Sequence, residues 1–254
     1  MAVEFVDIPE RGRRFEASFQ VRLGDVDGRD EMHLETFGRF LQDVAVDDVR
    51  DSGASEFEGV WVVRRYDLAL TALPSFGDTV DLVTFCSGFG PRWAERRTRI
   101  TSGSVPVAEA VGLWVFADRA GGRPLPLREE FFGLYGEAAG GRRVSSRLVH
   151  PPPPVGVSSR PWALRARDLD LLDHVNNARA LEAVEDEAAR QRADDRIESV
   201  SIEFRGTLER DADVELLSEV RPNGTDGAEL AMWLVADGEV RMSAMVMTVP
   251  RAPA

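Results

Sequence analysis

The pattern R-x-x-D-x-D occurs twice in this chain, as Arg22, Asp25 and Asp27 and again, 143 residues later, as Arg165, Asp168 and Asp170. A motif that repeats together with its surroundings constrains the fold strongly, because each copy must then be the same supersecondary unit. The surroundings do repeat. Ahead of the first motif, Phe15, Ala17, Phe19, Val21 and Leu23 alternate with polar residues, the period of a half-buried strand. At the same offset Trp162, Leu164 and Ala166 stand under Phe19, Val21 and Leu23. Beyond the motifs, Leu34, Phe37, Leu41, Val44 and Ala45 recur at helical spacing, as do Ala178, Leu181, Val184 and Ala188.

Each helical stretch is followed by a series of short strand-like runs. In the first copy these are Val62–Leu70, Val80–Phe85, Ala94–Ile100 and Val111–Phe116; in the second they are Val200–Phe204, Val214–Val220, Leu230–Val235 and Val240–Val249. Gly77-Asp-Thr-Val-Asp-Leu82 matches Asp211-Ala-Asp-Val-Glu-Leu216 at an offset of 134, so the second copy is shorter between helix and sheet. Surface loops tolerate such deletions. One strand, a long helix and then four strands is an α+β order, an antiparallel sheet wrapped around one helix. The chain is therefore predicted to be a tandem double hotdog; a single large antiparallel sandwich with accidentally similar halves is the alternative. The units are expected at residues 1–125 and 156–254, with a linker over 126–155. In that linker Gly136–Arg143 is a flexible stretch and Pro151–Pro154 a stiff one. One chain then already contains the pair that single-unit proteins make by dimerising, which leaves monomer and homodimer both open.

Composition removes several kinds of chemistry. The formal net charge of −13 repels polyanions, so no nucleic-acid partner is expected. No apolar run approaches a membrane span, and the acidic N-terminal stretch is unlike a signal peptide, so the expected location is cytoplasmic, with no membrane partner. All 31 basic residues are arginine, which excludes chemistry that needs a lysine, such as a Schiff base or P-loop phosphate binding. There is no G-x-S-x-G nucleophile elbow. His33, His150 and His174 are not at metal-ligand spacing, and Cys86 is the only cysteine, so neither a metal nor another cofactor is expected. Cys86, within an apolar strand, reads as a small buried hydrophobe.

Rare polar residues gather at one point. The chain has three asparagines, and two of them stand together in Asp168-Leu-Asp-Leu-Leu-Asp-His-Val-Asn-Asn177. The first copy, Asp25-Val-Asp-Gly-Arg-Asp-Glu-Met-His-Leu34, keeps the acids, places Glu31 at the position of His174 and lacks both asparagines. Asp173, a short acid ahead of the helix, is predicted to be its N-cap. A carboxylate at a helix N-terminus is held ionised by the dipole, and free amides there can bind the oxyanion that develops on an acyl carbonyl.

D-x-x-x-H-V-N-N at the start of the second helix resembles the motif of the 4-hydroxybenzoyl-CoA thioesterase-like family. The two-copy chain, that motif and Phe40-Leu-Gln-Asp43 in the first helix together resemble acyl-acyl-carrier-protein thioesterases over nearly the whole length. The resemblance implies that Asp170 activates water or attacks the thioester and that His174 positions substrate or water. Asn176, Asn177 and Gln42 are assigned with them to substrate binding, although each has a simpler role available, capping for the asparagines and a bonded core group for Gln42. The plant-type members carry an Asn where Leu172 stands, place a Glu-Cys pair near Thr207-Leu208, and tend to have Tyr at Ala180.

The implied activity is hydrolysis of a fatty-acyl thioester of acyl carrier protein or CoA to free acid and thiol, a step of fatty-acid biosynthesis. A non-catalytic acyl-CoA or acyl-carrier-protein binder is the competing reading, and a hydratase motif is not evident. An acidic carrier would have to meet an arginine cluster such as Arg64-Arg65, Arg96-Arg97 or Arg142-Arg143.

Overall fold

The computed structural model describes residues 3–54, 58–119, 122–171, 173–224 and 227–251. The chain divides into two compact units, one running to Met32 and again over Arg39–Arg147, the other made of His33–Gly38 and the chain from Leu148 onward.

The first unit contains β1 (Arg14–Gln20), most of helix α1 (Leu34–Asp51), β2 (Val60–Leu70), β3 (Thr79–Phe89), β4 (Trp93–Ser102), β5 (Val105–Ala117) and helix α2 (Glu129–Tyr135). Its strands are hydrogen-bonded in the order β1-β3-β4-β5-β2, antiparallel throughout. In β1 the predicted alternation holds, with Phe15, Ala17 and Phe19 half-buried between exposed neighbours. The strand ends earlier than the alternation suggested. The Arg22 amide donates to Asp25 Oδ2 at 2.7 Å, which closes a 3₁₀ turn over Leu23–Asp25 and leaves Leu23 exposed. Along α1, Leu34, Phe37, Phe40, Leu41 and Val44 are buried, and Phe40 stacks on Phe19 with ring centroids 4.8 Å apart. The helix and sheet are also joined by buried charge, since Asp48 receives Arg13 and Arg96 at 2.7 Å each.

The second unit repeats the plan with β6 (Ser158–Trp162), α3 (Asn177–Gln191), β7 (Asp195–Phe204), β8 (Val214–Asn223), β9 (Gly227–Ala236) and β10 (Glu239–Pro250). Its order is β6-β8-β9-β10-β7, the first unit's order strand for strand. Ala178, Leu181, Val184 and Ala188 of α3 are buried, as their spacing predicted. Glu187, fully buried on α3, takes hydrogen bonds from Arg160 of β6, Ser218 of β8, Arg190 and Gln191. Burial pushes its carboxyl up, but these donors outweigh that and hold it at about 2. Gly38 explains how closely α1's first turns approach α3: a Cβ there would lie 2.5 Å from Leu181 Cδ1 and 3.2 Å from Ala178 Cα.

Within 126–155, expected to join the units, Glu129–Tyr135 form α2, with Phe131 and Tyr135 buried against Trp61 and Phe89. Further along, the Trp93 indole donates to the Val144 carbonyl and Arg142 pairs with Glu95. In the second unit the Val149 and His150 amides donate to buried Glu203, and the Trp233 indole donates to the Pro151 carbonyl. No helix among the described residues is long and apolar enough to cross a membrane.

Candidate active site

Residues 168–176 fold into a small hairpin. The Asn176 amide donates to the Asp168 carbonyl at 2.8 Å, Leu169 bridges Val175, and the Asp170 amide donates to the His174 carbonyl at 2.8 Å. The tip is closed by the Asp173 amide on the Asp170 carbonyl at 3.1 Å, with Asp173 in the left-handed region at φ 62°. Asp170 Oδ1 in turn accepts the His174 amide at 3.4 Å. The first copy builds the same frame: Val26 bridges Met32, the Asp27 amide donates to Glu31, the Asp30 amide donates to Asp27, and Asp30 sits at φ 61°. Leu172, the plant-type asparagine position, lies outside the described residues.

This hairpin corrects two expectations. Asp173 is not the N-cap of α3; its left-handed turn points it to Arg210, with which it forms an exposed ion pair. The cap is Asn176, whose Oδ1 accepts the Ala178 amide at 2.8 Å. That amide is therefore spent on the cap and is not an oxyanion donor. Asp170 is also two rungs from the cap, about 7 Å along a strand, and the helix field fades within a turn. At the matching place in α1 stands His33, and there Glu185 of α3 does the capping, accepting the Leu34 amide at 3.1 Å and contacting His33 Nδ1 at 3.0 Å. Burial pushes the Glu185 carboxyl up, against the opposing pull of His33.

Asp170 and Leu171 are exposed, and His174 is half-buried. His174 forms an isolated bridge with Glu209, and the Val175 amide donates to Leu208 at 2.8 Å. Beside them lies a polar pocket of about 630 Å³ whose walls include Asp173, His174, Glu209, Arg210, Asp237 and Arg241. The motif thus brings Asp170, His174, Asn176 and Asn177 into one segment, Asn177 being the first residue of α3. Gln42 belongs to the other unit, half-buried on α1. Glu209 was missed from the sequence. It stands just past Thr207-Leu208 and is bridged to His174, a pairing that no local sequence pattern displays. Among the described residues no cluster of three or more His, Cys, Asp or Glu side chains is placed to hold a metal ion.

The first unit holds a second cavity, of about 350 Å³ and mainly apolar, with Val49, Trp61, Cys86, Ala94, Phe116 and Phe131 among its walls. Burial pushes the Cys86 thiol up to about 11, so it stays a neutral, non-nucleophilic wall group. The arginine pairs considered as docking patches are largely internal. Arg65 binds Asp67, Arg96 binds Asp48, buried Arg97 pairs with Glu109, Arg142 pairs with Glu95, and Arg143 lies over the Phe89 ring at 4.5 Å.

An uncharacterized protein of Mycobacterium tuberculosis (strain CDC 1551 / Oshkosh) is 21% identical over 172 residues, 68% of this chain and 69% of its own length. A chloroplastic acyl-[acyl-carrier-protein] hydrolase of Cuphea viscosissima is 23% identical over 241 residues, which cover 85% of this chain and 58% of the plant protein. Among solved structures, the 12:0-ACP thioesterase from Umbellularia californica superposes with a TM-score of 0.78 at 19% identity, covering 94% of each chain, so the double hotdog fold is shared. Residues 12–135 match the family model of the acyl-ACP thioesterase N-terminal domain and residues 157–246 that of its C-terminal domain, so the chain belongs to the acyl-ACP thioesterase family.

Proposed function

We propose that this fatty-acyl thioester hydrolase works on acyl carrier protein thioesters from the second unit's hairpin, with Asp170 as the base that activates water and His174 positioning it. Water adds to the thioester carbonyl while Asp170 takes its proton; the tetrahedral oxyanion then collapses, the C–S bond breaks, and the proton passes to the leaving thiolate. A positioned base is worth about 10² to 10⁴ in rate, enough to matter for an acyl group that is already activated. Glu209, on the pocket wall beside His174, is the second acid of this proposal. Asn177 and the amide NH₂ that Asn176 keeps after capping contact the substrate, and Gln42 is the third residue assigned to substrate binding.

The observation that carries this reading is the difference between the two hairpins. Their backbones share the bridge, the inner rung and the left-handed turn, yet the second alone adds His174 and the two asparagines and adjoins a polar pocket. The first unit has an apolar cavity of its own, within the size range of ligand sites. Acyl carrier protein is preferred to CoA on family grounds, and a cytoplasmic enzyme, monomer or homodimer, completes the reading. Offering purified protein matched acyl-carrier-protein and acyl-CoA thioesters while following free thiol tests the proposal. Faster release from the carrier protein supports it; binding of both without thiol release would favour a non-catalytic acyl binder.

A further inference from the structure

The cavity of the first unit changes character from its depth to its mouth. Cys86, Ala94, Phe131 and Tyr135 of its wall are each no more than 8% exposed. Most polar groups at that depth are already bonded within the protein: Tyr135 to Ser52 at 2.9 Å, Arg96 to Asp48 at 2.7 Å, and Glu95 to Ser87 at 2.9 Å and to Arg142; the buried Trp114 Nε1 has no hydrogen-bond partner among the described residues. The same cavity also has exposed lining residues, and exposure places these at its mouth: Val46, Arg50, whose side chain is 74% exposed, and Arg119. Arg50 has an Asp47 carboxylate at 3.6 Å on the helix surface, a solvated pair of little strength. Among the described residues Arg119 has no ion pair.

A neutral apolar interior under two guanidinium groups complements an amphiphile with one apolar tail and one anionic head. We infer that this cavity binds a free long-chain carboxylate, tail inward and head at Arg50 and Arg119, so that the hydrolysis product is held more tightly than an uncharged chain of the same length. The position of the charge selects the carboxylate over the phosphate of a carrier arm. In a thioester the acyl tail ends in a neutral carbonyl and the phosphate lies beyond a long uncharged arm. In the free acid the charge adjoins the tail itself, where the arginines line the cavity. The inference rests on the proposed hydrolysis of fatty-acyl thioesters, which yields this acid, and it makes the free product a ligand of the enzyme.

The test compares lauric and palmitic acids with their matching alcohols at neutral pH, by calorimetry and by quenching of tryptophan emission, Trp61 and Trp114 both being wall residues. The acids are expected to bind roughly three- to tenfold more tightly than the alcohols, the range for a partly solvated charge contact. R50Q with R119Q should remove that difference while leaving alcohol binding and the thermal midpoint unchanged, because both side chains are exposed. Equal binding of acid and alcohol, a preference that survives the double substitution, or no binding of either would overturn the inference. Thiol release by the wild type, followed in parallel, separates the two claims. Turnover without acid preference sinks only the product site, and acid preference without turnover sinks only the hydrolase reading.

Discussion

Asp30 and Asp173 hold the same left-handed turn, at φ 61° and 62°, and each donates its amide to the carbonyl of the aspartate three residues earlier, Asp27 and Asp170. The repeat has therefore preserved a backbone frame while the side chains around it diverged: Glu31 became His174 in the second copy, and His33 became Asn176. Asp and Asn tolerate this conformation, whereas β-branched residues do not. Asp173→Val is expected to cost about 1–2 kcal/mol and Asp173→Gly much less, since the exposed pair with Arg210 is worth little. Urea unfolding of the two variants checks this, and equal losses would assign the cost to the ion pair instead.

Gly38 is where a side chain has no room, with Leu181 and Ala178 at contact distance from the missing Cβ. Gly38→Val should lose about 1–3 kcal/mol by overpacking, even though glycine gives up more backbone entropy in a helix than valine does. Stability equal to the wild type in chemical denaturation would mean that α1 and α3 yield freely there.

Capping separates the paired asparagines. Asn176→Ala should destabilise by about 1 kcal/mol, because Asn176 Oδ1 satisfies the Ala178 amide, while Asn177→Ala, at the first helical position, should be nearly neutral. Thermal midpoints of the two variants distinguish them, and the reverse order would move the cap to Asn177.

Glu187 sets an acid limit on the second unit. Its carboxyl lies at about 2 in the folded protein against an ordinary 4.5, so the unfolded chain binds a proton first and the group stabilises the fold above pH 4.5. That contribution falls away as pH drops from 4.5 toward 2. The stability gap between wild type and Glu187→Gln should therefore be largest near neutrality and shrink through this window, as followed by denaturation at a series of pH values. A gap that does not change with pH would mean the charge is not what matters.

Much of this was legible in the sequence because repetition amplifies weak patterns. Alternation in Phe15–Val21 and the helical spacing of Ala178–Ala188 each describe a local environment, and finding the same order of strand, motif and helix in both copies identified the unit. What stayed hidden depended on distant or very short features. Helix α2 has only seven residues and too few turns to display a period. Asp173 resembles a cap by its position, but a hairpin intervenes before the helix and hands that task to Asn176. The arginine doublets look like surface charge until the fold brings Asp48 to Arg96 and Glu95 to Arg142. The apolar cavity likewise draws its walls from α1, four strands and α2, which no local pattern links.

The central claim is that the second hairpin does the chemistry, and Asp170→Asn beside Asp27→Asn tests it most directly. Both substitutions remove a charge at the same place in the same frame, with Asp27 Oδ1 accepting the Glu31 amide as Asp170 Oδ1 accepts that of His174. Free thiol released from an acyl-carrier-protein thioester should fall about 10²- to 10⁴-fold for Asp170→Asn and stay near the wild-type rate for Asp27→Asn, with both proteins folded. Full activity in folded Asp170→Asn, or equal loss in the two variants, would contradict the assignment.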